Sequence, residues 1–334
     1  MPVPTVDLFA VQPRVSGGTY GSEARFEAVM RACIERCLER RPPGPPVPGL
    51  AVFPEQVATY LALTPLGRLG TRLRDVRLAT ALAVLVRPAR MAAALSRVGL
   101  RAPEIAALLA LGPEIRHTWE TVFGRLARES GLSIVAGSAL LPDGGDEVFN
   151  LSLTFAPNGH VVGSTRKVNL VPGLEDSLGL SRGRADELMP VTLPVGPVGT
   201  LICYDGFAVP HTRSEPRWCA VGPTLAARGA RIIAQPAANP WPWDGPWVHR
   251  PRADATLRRE QWQSEGLEAQ LSWMVGVRYG VTAHLVGRVL DQRFDGRSAI
   301  VERGPDGAVT TLAAARSANE EDVVHARVEA PWLD

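Results

Sequence analysis

Short apolar runs closed by turn residues alternate with amphipathic stretches along most of this chain. Residues 2–11 read as a strand. From Ser22 to Arg40 the apolar residues recur at helical spacing, with Phe26, Met30, Cys33 and Cys37 on one face that packs against a sheet. Arg41-Pro42-Pro43-Gly44-Pro45-Pro46-Val47-Pro48 is a stiff connection. It leads into a second apolar strand, Gly49-Leu50-Ala51-Val52-Phe53, which ends at Pro54-Glu55. Phe149 to Ala156 and His160 to Gly163 flank the turn residues Pro157-Asn158-Gly159, the pattern of a hairpin. Other strands are predicted near 132–140, 147–156, 160–165, 198–203, 231–235, 272–278 and 298–302. The order predicts one α/β domain over residues 1–334.

The segment of about 65–111 breaks this rhythm with apolar helices studded with arginine. Leu78 to Val86 is interrupted by Arg87-Pro88, a second run starts at Ala89, and a third lies near Pro103–Leu111. Proline favours breaks at these points. Three readings stand: a helical cap or subunit contact, a lid over substrate, or reversible membrane contact through an amphipathic face.

Composition narrows the classes. A 46% hydrophobic content fills a sizeable core. A net charge of +2 with no basic tract argues against a dedicated nucleic-acid binder. No apolar run reaches the ~20 residues that span a bilayer. The first ten residues read as a strand rather than a signal peptide. The four cysteines, Cys33, Cys37, Cys203 and Cys219, form no secreted framework, so a cytoplasmic location is expected. His117, His160, His211, His249, His284 and His325 make no ligand cluster, so neither metal nor other cofactor is called for. Ser16 to Gly21 is Gly-rich but lacks nucleotide-binding spacing, and no Gly-x-Ser-x-Gly elbow occurs.

One lysine, Lys167, stands among 36 Lys plus Arg. A compact ammonium on a flexible stem differs chemically from a planar guanidinium, which points to a place where arginine would fail. It follows Gly163-Ser164-Thr165-Arg166 at a hairpin's end and precedes Glu175 across Val171-Pro172-Gly173. Val198 to Ile202 is an apolar strand that runs into Cys203 and then the turn residues Tyr204-Asp205-Gly206. Glu55, Lys167 and Cys203 thus all lie near ends of strands, where a sheet presents side chains to a pocket. Taken singly, Cys203 reads as a small buried hydrophobe, Glu55 as a helix-start carboxylate and Glu175 as a loop acid.

Their order resembles the nitrilase, or carbon–nitrogen hydrolase, superfamily. The marks are Phe53-Pro54-Glu55, Arg166-Lys167-Val168-Asn169-Leu170 with Glu175, and Leu201-Ile202-Cys203-Tyr204-Asp205; Phe149-Asn150, Gly229 to Pro236, Arg278, Gly280, Gly296-Arg297-Ser298 and Asp306-Gly307 are weaker ones. The resemblance covers roughly 1–60 and 119–330. It implies a four-layer αββα sandwich, commonly paired into homodimers or larger assemblies. It also implies a Glu-Lys-Cys triad: Cys203 as nucleophile, Glu55 as general base and acid, and Lys167 with the Tyr204 backbone N–H at the oxyanion. Glu175 would orient substrate and hold the lysine, and Phe149 and Asn150 join the implied site. Departures are Glu268-Ala269 where Glu-Asn is usual, Val277 for another customary Asn, and Ala237 for a frequent Ser.

The resemblance implies a small-molecule amide or nitrile substrate. Cys203-Tyr204-Asp205-Gly206 looks more like the amidase branch than the nitrilase one, so hydrolysis of a linear amide leads, with nitrile or N-carbamoyl hydrolysis and N-acyl transfer as alternatives. Trp241-Pro242-Trp243-Asp244-Gly245-Pro246-Trp247 carries a stiff aromatic loop. Trp241 and Trp243 either line the pocket or pack against the inserted helices or a second subunit.

Overall fold

A computed structural model describes residues 3–99, 102–212, 214–250 and 254–333. Two sheets lie face to face. The first runs, in spatial order, Asp322–Glu329, Thr5–Gln12, Gly49–Val52, Ser133–Pro142, Val148–Phe155 and Val161–Arg166. The second runs Val309–Ala314, Ala299–Arg303, Tyr279–Val289, Ile232–Ala238, Gly196–Thr200 and Val191–Leu193.

Alternation along each strand sorts side chains between layers. In Thr5–Gln12, Val6, Leu8 and Ala10 face the second sheet, meeting a core that includes Ile232, Ala234, Val281 and Ile300. Phe9 and Val11 face the other way, into the cluster holding Phe26, Met30 and Cys33 of helix Glu23–Glu39 and Trp119 and Phe123 of helix Pro103–Ser130. Outside the second sheet, Ile233 and Val301 pack with Leu225, Leu267 and Leu271 of short helices. The result is the expected αββα order of layers.

Local chemistry sets the element ends. Ser22 Oγ accepts the Arg25 N–H at 3.2 Å and caps helix Glu23–Glu39. Helix Pro103–Ser130 starts on a proline and stops at Gly131, whose φ of 68° is left-handed. Arg87 separates helix Val76–Val86 from helix Pro88–Val98, as the Arg-Pro step predicts. Pro113 makes no break: the third predicted helix runs on through it to Ser130, buried on one side along its length. These helices sit over one edge of the first sheet, where Met91, Ala94, Ile105 and Leu109 cluster with Leu140, Val148 and Leu170. Residues 100 and 101 of this segment, and residue 2 of the first predicted strand, lie outside the described residues.

The predicted strand near 272–278 is a turn, and the strand begins at Tyr279. Its apolar run misleads because Met274 and Val277 plug the outer helical layer while Trp273 and Val275 stand 55% and 76% exposed. Gly276, at φ 91°, is the turn residue between Val275 and Val277. The strands Val309–Ala314 and Asp322–Glu329, which the pattern did not single out, complete the two sheets. No helix among the described residues is long and apolar enough to cross a membrane.

Candidate active site

Parallel pairing brings the carboxyl ends of several strands to one place. Gly49–Val52 pairs in parallel with Ser133–Pro142, and Gly196–Thr200 with Ile232–Ala238. The chain leaving the first of these strands carries Glu55, and the chain leaving Gly196–Thr200 carries Cys203. Strand Val161–Arg166 ends one residue before Lys167. All three side chains, with Glu175, line one cavity of about 340 Å³.

Lys167 is the hub. Its Nζ lies 2.7 Å from Glu55 Oε1 and 2.6 Å from Glu175 Oε2, with all three side chains buried. Asn150 Nδ2 bridges the two acids, donating to Glu55 Oε1 and Glu175 Oε1 at 2.8 Å each. The Ala238 N–H donates to Glu55 Oε2 at 3.0 Å, and the Val171 N–H to Glu175 Oε2 at 2.9 Å. Every oxygen of both carboxylates is thus held, which makes the arrangement rigid as well as charged.

Burial works against the Lys167 ammonium, but Glu175 and Glu55 outweigh it and hold its pKa well above the usual lysine value. Burial raises the Glu55 carboxyl above its ordinary 4.5; Lys167 draws it back and Glu175 pushes it up again. Burial also pushes the Cys203 thiol up, with the Glu55 charge adding to it. Both effects favour the thiol over the thiolate, and the Sγ lies 3.8 Å from the Ala238 carbonyl oxygen. Ala238 touches both groups, through its N–H to Glu55 and its C=O to the thiol.

The turn that carries Cys203 is strained and braced. Cys203 sits at φ 48°, a left-handed conformation costly for a residue with a side chain. Gln235 Nε2 holds the Cys203 carbonyl at 2.8 Å, and Thr282 Oγ1 holds Gln235 Oε1 at 2.8 Å. A Cβ at Gly206 would stand 2.1 Å from that Gln235 nitrogen, so the close approach requires glycine. Gln56 and Leu290, at φ 59° and 56°, are the other non-glycine residues in this region among those described. Both line the same cavity as Cys203.

The remaining predicted residues divide. Trp241 lines the cavity, whereas Trp243 is not among its lining residues and packs 5.3 Å from the His284 ring and 6.1 Å from Trp262. Phe149 lies under the Arg166 guanidinium at 4.4 Å, outside the cavity lining, so it supports the strand that delivers Lys167. Tyr204 occupies the start of the short helical turn Cys203–Gly206, where backbone N–H groups lack intrahelical partners. Its phenol donates to Glu215 Oε2 at 2.7 Å and accepts the His211 N–H, outside the Glu55–Lys167–Glu175 network.

Sequence reading gave no role to Ala238, Asp205 or Arg258, and it left a lid over substrate as one of three readings of the inserted helices. The cavity's roof comes from the arginine-studded helices: Val76, Ala79, Ala107, Leu108 and Leu111 line the cavity from above. No group of three or more His, Cys, Asp or Glu side chains among the described residues is arranged to hold a metal ion.

The sequence model of the carbon-nitrogen hydrolase family matches residues 121–331. The chain belongs to the carbon–nitrogen hydrolase family. Its fold is that of the nitrilase superfamily, as comparison with solved structures shows. The carbon–nitrogen hydrolase from Helicobacter pylori aligns with a TM-score of 0.63 at 15% identity, over 99% of this chain and 90% of that one. A mutant of the amidase from Nesterenkonia sp. AN1, with acrylamide added to its active-site cysteine, gives 0.58 at 16% identity, over 99% and 95%. Another mutant of that amidase, in complex with butyramide, gives 0.57 at 16% identity, over 100% and 95%. No curated protein matches the chain. The helices that roof this hydrolase's cavity up to Leu111 precede the matched residues.

Proposed function

We propose that this hydrolase cleaves a linear amide with an apolar acyl group, through a thioester on Cys203. The observation that carries the proposal is the Lys167 ammonium held between Glu55 and Glu175, at 2.7 and 2.6 Å, on the wall of the cavity that Cys203 also lines. A thiol, a raised carboxylate base and a fixed cation are the parts that acyl transfer requires.

In this reading Glu55 takes the Cys203 proton as sulfur attacks the amide carbonyl carbon. The tetrahedral oxyanion is received by Lys167 Nζ and the Tyr204 N–H. Collapse breaks the C–N bond, and the amine leaves with the proton from Glu55. Glu55 then deprotonates water, which attacks the thioester; the thiolate leaves, recovers a proton, and the acid is released. A preformed ammonium costs no reorganisation when charge develops, which is why such a donor is worth ~10²–10³ in turnover. The solved amidase of Nesterenkonia, with butyramide bound in one form and acrylamide on its active-site cysteine in another, offers a parallel for small aliphatic amides. Here the lining of Leu63, Leu108, Leu111, Leu140 and Leu178 suits a larger acyl chain.

The test is release of ammonia or amine and acid from amides of increasing acyl length, beside matched nitriles and N-carbamoyl compounds. Turnover of amides in equal molar yields of amine and acid, lost in Cys203→Ala, is expected. Nitrile turnover without amide turnover, or a new amide in place of free acid, would replace the reading. Undiminished turnover in Cys203→Ala would end it.

A further inference from the structure

Two Lys or Arg residues are buried among the described residues, Lys167 and Arg258, each 1% exposed, and both line the same cavity. They are treated very differently. Lys167 is neutralised by two carboxylates. Arg258 pairs with no carboxylate of the described residues. Its Nε donates to Asn239 Oδ1 at 2.8 Å and its Nη1 to Gln261 Oε1, both neutral amide oxygens. These partners orient the guanidinium without cancelling its charge. Asn239 is itself fixed, donating to the Trp241 carbonyl at 2.7 Å and the Asp295 carbonyl at 2.9 Å.

Aromatic rings complete the setting. The guanidinium carbon lies 3.8 Å from the Trp247 ring centroid, 5.0 Å from Trp241 and 5.3 Å from Trp262. Ring faces attract a cation but do not supply a counter-charge. A guanidinium has five N–H donors, and the two protein acceptors engage only part of that fork. A buried charge that is oriented but unpaired is costly to keep. It is the arrangement expected of a residue whose partner arrives with the ligand. Burial lowers the guanidinium to about 9, so it remains charged at neutral pH.

We infer that Arg258 is the anion-recognition residue of this cavity, and that the substrate is an amide carrying a carboxylate as well as an apolar chain. The inference rests on the proposed amide chemistry for the reaction, but the anion site itself stands on Arg258 and its neutral partners. Planar, bidentate pairing makes a carboxylate the best match for the fork.

Two matched pairs test it: an N-acylglycine against the corresponding N-acyl ethylamine, and a dicarboxylic monoamide against the monocarboxylic amide of equal length. One puts the charge on the amine half, the other on the acyl half. In the wild type, the charged member of at least one pair should win by about 10²-fold or more in kcat/KM. Arg258→Met should collapse that preference to within a few-fold, and Arg258→Lys should restore part of it. Equal treatment of both pairs by the wild type would overturn the inference. So would an Arg258→Met variant that loses charged and neutral amides by the same factor, since that is what a purely structural role, or support of the thiolate, would give. Binding provides a readout independent of turnover and of that variant's folding. Cys203→Ala protein titrated with an N-acylglycine and with a dicarboxylic monoamide, each beside its methyl ester, should bind at least one free acid more tightly than its ester, reported by tryptophan fluorescence. Equal affinities within both pairs would overturn the anion site. Tight acid binding with no amide turnover in the wild type would instead leave the site intact and remove the amidase reading.

Discussion

Asp205 Oδ1 accepts the backbone N–H of Asn169 at 2.7 Å, and its Oδ2 accepts that of Val168 at 3.1 Å. The acid two residues past Cys203 therefore clamps the two residues that follow Lys167, and so fixes the Cys203 turn against the lysine's strand end. Asn169 extends the clamp by exchanging two hydrogen bonds with the Cys219 backbone, at 2.8 and 3.2 Å.

Asp205→Asn tests this clamp. An amide can accept with one atom only, so one buried N–H loses its partner and faces another donor. The cost should be about 1–3 kcal/mol, read as a shift in the denaturant midpoint. Because Lys167 is displaced as well, kcat should fall while KM moves little. A destabilised variant with unchanged kcat would show that the clamp serves stability alone.

Lys167→Arg keeps the charge and should still lose ~10²–10³ in kcat, because a planar fork cannot reach both acids and an oxyanion from the same place. Steady-state kinetics on the best amide check this. Retention of more than a tenth of kcat would remove Lys167 from the oxyanion role. The single lysine of an arginine-rich chain would then be left without a chemical reason.

The pH profile follows from the directions of the shifts. Burial raises Glu55 above 4.5, so the ascending limb of kcat/KM should lie above that value. The thiol is pushed above its ordinary 9.0 and Lys167 well above its ordinary 10.5, so no limb from either should appear between pH 6 and 8. Glu55→Gln should abolish the ascending limb along with most of the activity. A limb near the ordinary thiol value would show instead that Cys203 ionises freely and needs no base.

Much of the candidate site was legible in the sequence because its acids, lysine and cysteine sit beside strand ends and in a recognisable order. The layers were legible too, since Val6, Leu8 and Ala10 alternate with Phe9 and Val11 as a strand between two cores must. Two things were not settled by it. Arg258 was camouflaged by composition: among so many arginines, only burial and the lack of a carboxylate set it apart. The roof stayed one of three readings because Leu108 and Leu111, at helical spacing, read the same whether they face a core or a cavity. Pairing across the sheet decides other cases. The Trp273 to Val277 run is as apolar as a strand, yet it has no neighbour to pair with until Tyr279 meets Ile232.

The tryptophan loop gives a prediction in which two neighbours part company. Trp241 lines the cavity and Trp243 packs on His284 and Trp262 instead. Trp241→Ala should change KM selectively for bulky acyl groups. Trp243→Ala should lower stability by less than the ~3–5 kcal/mol of a fully buried aromatic, because the ring is part exposed. Its KM ratios should stay near wild type. Reversed effects would move the pocket wall to the other side of the loop.

His284 carries the last prediction, and its sign is worked from burial. The ring is 1% exposed on strand Tyr279–Val289, with the Trp262 ring centroid at 4.5 Å. Burial, then the charge of Arg258, lowers its pKa from 6.5 to about 3. A base with a depressed folded pKa contributes stability above the unfolded value and loses it as pH falls toward the folded one. Between pH 6.5 and 4.5 the loss from this group should be about 2–3 kcal/mol. Asp205 works in the opposite sense: burial raises it to about 7, so its contribution is present below 3.8 and fades as pH rises through 7. The two oppose each other over the same range, so the wild-type curve alone is uninformative. The difference between wild type and His284→Leu isolates the histidine. Chemical denaturation of both proteins across pH 4.5–7 should show the variant losing less stability on acidification, and parallel curves would mean that His284 is protonated in the folded protein after all.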